Sequence, residues 1–464
     1  MRQNVTFSIG NVAIIDKVDG QTGFFGSVLG NLAGRAKTFV PCIKLLMHNR
    51  LGDCVAVDRI LDFTPDELLN LLGFKNETSK RTIYRTLERL GRKSDLVIER
   101  YQNWTQIQKL VDPTQLIDFS SSYFEGMKCP LGQLGYSRDK QPGKLQLTFG
   151  ISLGLNEIPT ALTIQKGNTQ DKKHMKSTLR VCSKILKENS LLIFDCGGNT
   201  KGNKTKIREL GFHYLTLKAK KVNSYLKYTR DFWENQPKEI DLDKKKYYCV
   251  KKIESEEFQY IYFSEKLRQD QLQKKERKFQ KALKRGETLL KKVKKNKELG
   301  QQVSSEGWII SVGSLQKILD NEIKNPYITK LEGFFILESS INEDPAKVLQ
   351  LYKDRDKVEK FIRDLKEGAE IRPMRHWSEY TVIGYILIVF LTKVFINLTH
   401  ILTENPLVKN LKVLKKYLNN LTVTVIYPKN SFRMSVISNS SDEIRAIFGD
   451  FIGRYGELTV VIPP

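Results

Sequence analysis

The stretch Lys144–Gln165 reads KLQLTFGISLGLNEIPTALTIQ. Apolar and polar residues alternate through KLQLTFGISLGL, the chain turns at Asn156–Glu157, and IPTALTIQ alternates again. Period-two alternation on both sides of a short polar turn predicts two antiparallel strands. Upstream, Gln115–Ser121 (QLIDFSS) is a short apolar strand, so the three form a meander. Downstream, Thr169–Glu188 has the spacing of an amphipathic helix and Leu191–Phe194 is a fully apolar strand. Lys204–Leu210 makes a second helix, Gly211 stops it, and His213–Lys218 (HYLTLK) is a fifth strand.

Three antiparallel strands, then helix, strand, helix and strand, is the order expected of a ribonuclease-H-like α/β fold, a mixed sheet with flanking helices. Residues 221–330 interrupt it. Two strands are expected in DKKKYYCVKKIESEEFQYIYFSE, and Glu265–Glu298 carries 14 Lys/Arg against 5 Asp/Glu. That segment reads as a long basic helix, broken or bent near Gly286, whose charge suits a phosphate-contacting surface. Strand character returns at Tyr327–Leu337, and residues 379–398 supply a buried helix.

At the other end, the Gly-rich residues 1–30 read as a short hairpin or a weakly anchored arm. In FTPDELLNLLGF (63–74), Thr64 is expected to cap a helix, with Pro65 at its first position and Glu67 closing a capping box. Ser79 then starts KRTIYRTLERLGR. The pair is either a DNA-binding helix-turn-helix or two packed helices. The tail holds a basic helix (KNLKVLKKYL), a strand (LTVTVIYP) and one further helix. The expected regions are therefore 1–110, mostly helical and a candidate for DNA binding; 111–220, the first part of the core; 221–330, a β-rich insertion with the basic helix; 331–400, the second part of the core; and 401–464.

A chain of 464 residues with 40% hydrophobic and 28% charged residues can bury large cores. Its formal net charge of +25 points to a polyanionic partner, DNA or RNA before an anionic membrane surface. The six cysteines form no CxxC pair, which excludes a Cys-rich zinc site and suggests a reducing compartment. No secretory signal is read at the N-terminus. The longest apolar run, residues 381–392, is too short to span a bilayer and is expected inside a protein core.

Two acids stand in apolar strands: Asp118 within LIDFSS and Asp195 within LLIFDCGG. A carboxylate in such a setting is costly unless it is paired or bound to metal. Glycines at 197 and 198 would let a backbone or substrate come close. A third acid, Glu359, lies in Tyr352–Lys366 (YKDRDKVEKFIRDLK). At about 100° per residue from Tyr352, Arg355, Glu359, Lys366 and Arg363 share one helix face, near 300°, 340°, 320° and 20°. Val358, Phe361, Ile362 and Leu365 take the neighbouring face. Three carboxylates with no His or Cys cluster select two hard cations, Mg²⁺ or Mn²⁺, in the arrangement used for phosphoryl transfer. Salt bridges to the abundant lysines are the alternative.

These residues resemble the DDE transposases of bacterial and archaeal insertion sequences, in the broad IS4 group and most closely of the IS1634 type. Tyr352, Arg355, Glu359 and Lys366 fit that family's Y-(2)-R-(3)-E-(6)-K signature without a gap. DFSSSYFEG (118–126) is similar to its first-aspartate segment, GYSRDKQPGKLQL (135–147) to the segment that follows, and KGNTQD (166–171) to its GNT turn. FDCGGNTKGN (194–203) occupies the second-aspartate position, although Cys196 stands where the family commonly has Arg. LEGFFILESS (331–340) resembles the strand resuming the core, so the likeness covers roughly residues 112–400. It implies a catalytic, metal-binding triad of Asp118, Asp195 and Glu359 in a ribonuclease-H-like fold with a β-rich insertion. It also implies that Tyr352 and Arg355 contact phosphates at the transposon end and Lys366 the cleaved strand. Arg363 joins these as a DNA-binding candidate, and Trp308 is a counterpart for the insertion tryptophan that stacks on a flipped base.

The expected function is metal-dependent cleavage and strand transfer on double-stranded DNA at terminal inverted repeats. The enzyme would act as a homodimer in the synaptic complex, in the cytoplasm on chromosomal DNA, with no membrane partner. A nuclease without strand transfer and an inactive element-derived DNA-binding protein are the alternatives.

Overall fold

β1 (Val5–Ser8) opens the chain, followed by helices α1 (Gly10–Thr22), α2 (Phe39–Leu51), α3 (Asp66–Leu71), α4 (Lys80–Arg92) and α5 (Ser94–Ile107). Next come β2 (Thr114–Tyr123), β3 (Gln146–Gly154), β4 (Pro159–Lys166), α6 (Asp171–Cys182), β5 (Leu191–Phe194) and α7 (Lys201–Glu209). They are followed by β6 (His213–Leu217), α8 (Val222–Thr229), β7 (Lys238–Leu242), β8 (Lys245–Glu254) and β9 (Glu257–Phe263). α9 (Glu265–Lys295), β10 (Phe334–Ser339) and α10 (Pro345–Lys353) complete that part. The chain ends with α11 (Asp356–Arg363), α12 (Glu379–Thr403), α13 (Leu411–Asn420), β11 (Thr422–Ile426), β12 (Met434–Ser438), α14 (Asp442–Phe448) and β13 (Leu458–Thr459). The computed structural model describes residues 4–34, 36–254, 256–295, 325, 327–427, 434–456 and 458–459. Two compact units result: residues 1–212 with 354–464, and residues 213–353.

In the first unit the strand order is β4-β3-β2-β5. β3 runs antiparallel to both β4 and β2, while β2 runs parallel to β5 from Thr114↔Leu191 to Ile117↔Phe194. This is the mixed, helix-flanked sheet of a ribonuclease-H-like core. Every residue of β3 is buried, as befits a strand covered on both faces. α6 packs on β3 and β4, and α11 packs on β2 and β3.

The helical core centres on α12, 25 residues long. It packs against α4, α2 and α1, with Phe24, Trp104 and Phe395 meeting edge to face beside it. Two glycines set the α4–α12 crossing: a Cβ on Gly91 would strike the Tyr380 carbonyl, and one on Gly384 the Leu87 carbonyl. α12 is long and apolar enough to cross a membrane, yet 94% of its apolar window is buried inside the protein. It outruns the twelve-residue apolar stretch because buried Lys393 is neutralised by Asp364, 2.7 Å away.

Four local expectations are corrected. Residues 4–30 are neither an arm nor a hairpin: β1 pairs antiparallel with β11 in the sheet β1-β11-β12-β13, and the first half of α1, residues 10–15, is buried throughout. Thr64 does not cap α3; extended Pro65 precedes the helix, the Thr64 hydroxyl donates to Ile60 O, and Glu67 accepts from the Tyr427 hydroxyl. Tyr352–Lys366 is not one helix: α10 ends at Lys353, α11 begins at Asp356, and a π turn occupies Asp364–Gly368. α9 runs unbroken through Gly286, since one glycine costs a helix only about 1 kcal/mol. Ser79 does cap α4, accepting from Thr82 N at 3.3 Å. α4 both packs on α12 and exposes Arg81, Arg85 and Arg89, so each reading of that pair keeps a basis.

The second unit is an antiparallel sheet, β6-β10-β9-β8-β7, packed by α8 and α9 around Tyr225, Phe232, Ile261, Phe334 and Ile336. Beside it lies a buried acid, Glu332, 4% exposed. Its Oε1 accepts from Lys275 Nζ at 2.5 Å, Thr329 N at 2.8 Å and the Thr329 hydroxyl at 3.0 Å.

Candidate active site

The β2–β5 register brings the two aspartates together. Ile117 pairs with Phe194, so the next residues, Asp118 and Asp195, lie side by side where β5 ends. Carboxyl ends of parallel strands are the usual place for chemistry in α/β sheets. Burial pushes the Asp118 carboxyl up to about 6. The Asp195 charge adds to the rise, while the guanidinium of Arg355, the Phe119 N–H and Arg138 oppose it.

Asp195 is aimed by its own turn, its Oδ1 accepting from Gly197 N at 2.9 Å. What comes close to Gly197 is a side chain: a Cβ there would stand 2.5 Å from Asp171 Oδ2 and 3.1 Å from Asp195 Oδ1. Asp171 is thus a fourth acid at the rim, at the first position of α6, ion-paired with Arg138. The sequence reading gave it no role, although it stands two residues after the Gly-Asn-Thr turn. Ser121, Tyr136, Arg138, Asp171, Lys172 and Gly197 line a cavity of about 300 Å³ beside it.

Glu359, in the first turn of α11, reaches this pair through Arg355. One Arg355 nitrogen lies 3.5 Å from Asp118 Oδ1, and the other is ion-paired with Glu359. The Arg355 side chain is largely buried and that of Glu359 about half exposed, at 17% and 47%. The three predicted acids therefore converge on one side of the sheet with a guanidinium between two of them. Among the described residues no group of three or more His, Cys, Asp or Glu side chains is drawn tightly enough to hold a metal ion. The donor chemistry nevertheless suits a hard divalent cation, because every donor is a carboxylate oxygen. Like charge and burial, which raise Asp118, are also what a second positive charge would relieve.

The remaining candidates separate. Lys366 lies in the π turn, 8% exposed, with Nζ 2.7 Å from Asp139 Oδ1; Arg372 meets the same oxygen at 2.6 Å. Desolvation lowers its pKa while Asp139 resists. Arg363 is exposed on α11 with no ion pair among the described residues. Tyr352 belongs to the second unit, where it lines a cavity of about 250 Å³ with Tyr247, Phe335 and Lys353. Trp308 lies outside the described residues. Arg138, Asp139 and Arg372 were not foreseen; the only signal was that Arg138 and Asp139 adjoin one another in GYSRDKQPG.

No family model and no curated protein matches the chain. Among solved structures, the piggyBac transposase synaptic complex with hairpin DNA, seen by cryo-EM, is similar over 83% of this chain and 70% of that one. The TM-score is 0.43 and the identity 9%, and no residue role is carried across from it.

Proposed function

We propose that the chain is a DDE transposase that cuts the terminal inverted repeats of its own element and joins the freed ends to DNA. The observation that carries this reading is Asp118 beside Asp195 across a parallel strand pair, with Glu359 tied to the same spot by Arg355. The fit of Tyr352, Arg355, Glu359 and Lys366 to the transposase signature supports it, as does a net charge of +25.

Asp118, Asp195 and Glu359 would hold the divalent ions, Mg²⁺ or Mn²⁺. Such ions, when bound, activate a water or a 3′-hydroxyl and stabilise the leaving oxygen in an in-line displacement. The protein's own part is positioning. β2 and β5 fix two carboxylates on rigid strands, and the Gly197 N–H orients Asp195. Arg355 favours the ionised form of Asp118, opposing burial, and ties Glu359 to the same spot. The Lys366–Asp139–Arg372 cluster anchors the π turn behind α11, so in this reading Lys366 positions the helix. A homodimer bridging two element ends fits the extended positive charge.

The test is cleavage and joining of a supercoiled plasmid carrying the element ends, with Mg²⁺. Asp118→Asn and Glu359→Gln should each abolish both products. Undiminished activity in either variant would overturn the assignment, and cleavage without joined products would reduce it to a nuclease.

A further inference from the structure

α11 also borders a second feature. In the first unit, α11, the π turn, the end of α12 and α13 enclose a groove of about 960 Å³. Its walls carry two matched rows of cations. Lys357, Lys360 and Arg363 recur every three residues on one wall, and Lys409, Lys412 and Lys415 do so on the other. The α11 row spans about 9 Å at the helical rise, the reach of about two neighbouring phosphates of one strand. On the other wall Lys412 and Lys415 lie on α13, and Lys409 closes the 3-10 turn before it. Arg363, Lys409 and Lys412 are exposed and have no ion pair among the described residues. Among the described residues Lys415 donates to neutral groups, Gly52 O at 3.1 Å and Cys54 Sγ at 3.4 Å.

On the first wall Lys360 is paired with Asp356 at 2.6 Å and Lys357 lies 3.8 Å from Asp354, so the uncancelled charge is that of Arg363 and the second wall. The acids lining the groove itself do not cancel it. Asp364 is taken by Lys393 at 2.7 Å and Glu367 by Arg372 at 3.2 Å, leaving Glu157 and Glu370. Lysine is the commonest residue lining the groove, beside apolar Phe361, Val408 and Leu411, and its long stem lets the ammonium group reach a ligand. Two facing sets of cations suit a flexible chain of regularly spaced negative charges. We propose that this groove grips the sugar-phosphate backbone of one DNA strand, at a place separate from the carboxylates. The proposal rests on the chain being a DNA-acting protein. It gives α11 two jobs: Glu359 serves the cutting side, and Lys357 and Lys360 hold DNA on neighbouring faces, with Arg363, one turn on from Glu359, at the border between them.

The experiment is equilibrium binding of the full chain to a fluorescent duplex of arbitrary sequence, in EDTA, across a salt series. Lys409→Gln/Lys412→Gln is compared with wild type and with Lys173→Gln/Lys187→Gln, an exposed pair away from the groove. Losing two phosphate contacts should make the slope of log K against log salt shallower by about 1.8. Affinity near 0.1 M salt should fall at least about tenfold, while the control pair stays close to wild type. Equal slopes for the groove variant and wild type, or equal losses in both double variants, would overturn the groove while leaving the DNA-acting reading intact. Failure of the wild type to bind the duplex at all would overturn both.

Discussion

Asp118 in the first unit and Glu332 in the second are both largely buried carboxyls beside a cation, and they titrate in opposite directions. Burial pushes each up. For Glu332, Lys275 and the Thr329 N–H and hydroxyl then pull it down to about 2. For Asp118, Arg355 at 3.5 Å is too distant, and shared with Glu359, to offset burial and Asp195, so the group stays at about 6. The contrast separates an acid that supports the fold from one that the fold supports at a cost. An acid left electrostatically unsatisfied on rigid strands is the kind found where chemistry is done.

The largest expected effect is on catalysis. Asp118→Asn should cut plasmid cleavage by roughly a thousandfold or more, equivalent to about 4 kcal/mol of barrier, whereas Glu332→Gln should leave the cleavage rate of folded protein unchanged. A reversed result would erase the distinction. Next is Asp139, whose side chain is 1% exposed and neutralises both Lys366 and Arg372. Asp139→Asn leaves two cations facing each other and should cost about 3–5 kcal/mol, seen as faster amide exchange through residues 364–372.

The two carboxyls then make a matched pair of stability predictions. A shift from 4.5 to about 2 gives ionised Glu332 about 3 kcal/mol of stabilisation. That contribution is complete above about pH 4.5 and is lost as pH falls through about 2. For Asp118 the sign reverses: its folded pKa lies above the unfolded one, so the ionised group destabilises by about 3 kcal/mol above pH 6. That penalty vanishes below about pH 3.8. Hydrogen exchange at pH 7 should therefore show Glu332→Gln loosening β9 and β10, and Asp118→Asn tightening β2 and β5. Same-sign changes in the two variants would refute the comparison. The smallest effect is a shift in pH dependence. Removing the guanidinium by Arg355→Gln should move Asp118 further up and carry the acid limb of the cleavage profile with it. An unmoved limb would mean that another group sets it.

What was legible in the sequence was local. Alternation placed β2, β3 and β4 within a residue or two, and an acid inside an apolar strand marked Asp118 and Asp195 without any knowledge of the register. The failures were non-local. β1 looked like an arm because its partner, β11, lies at the far end of the chain. Lys366 looked like a solvent-facing cation because Asp139 stands 227 residues upstream and a π turn, invisible to a 100° wheel, rotates it inward. Arg355 was assigned to phosphate, and its hold on two of the acids could be seen only once the strands and α11 were assembled.

The reciprocal contact of Gly91 with the α12 backbone also has a consequence in time. α4 finds its chief packing partner in residues 379–403, so the N-terminal helices leave the ribosome about 300 residues ahead of the segment that completes their burial. At 5–20 residues per second this wait is roughly 15–60 s, during which the contiguous 213–353 unit is synthesised whole. Until α12 emerges, the apolar faces of α1, α2 and α4 are open to chaperones or to one another, and a nascent chain stalled before residue 379 would be an aggregation hazard with no complete cutting centre.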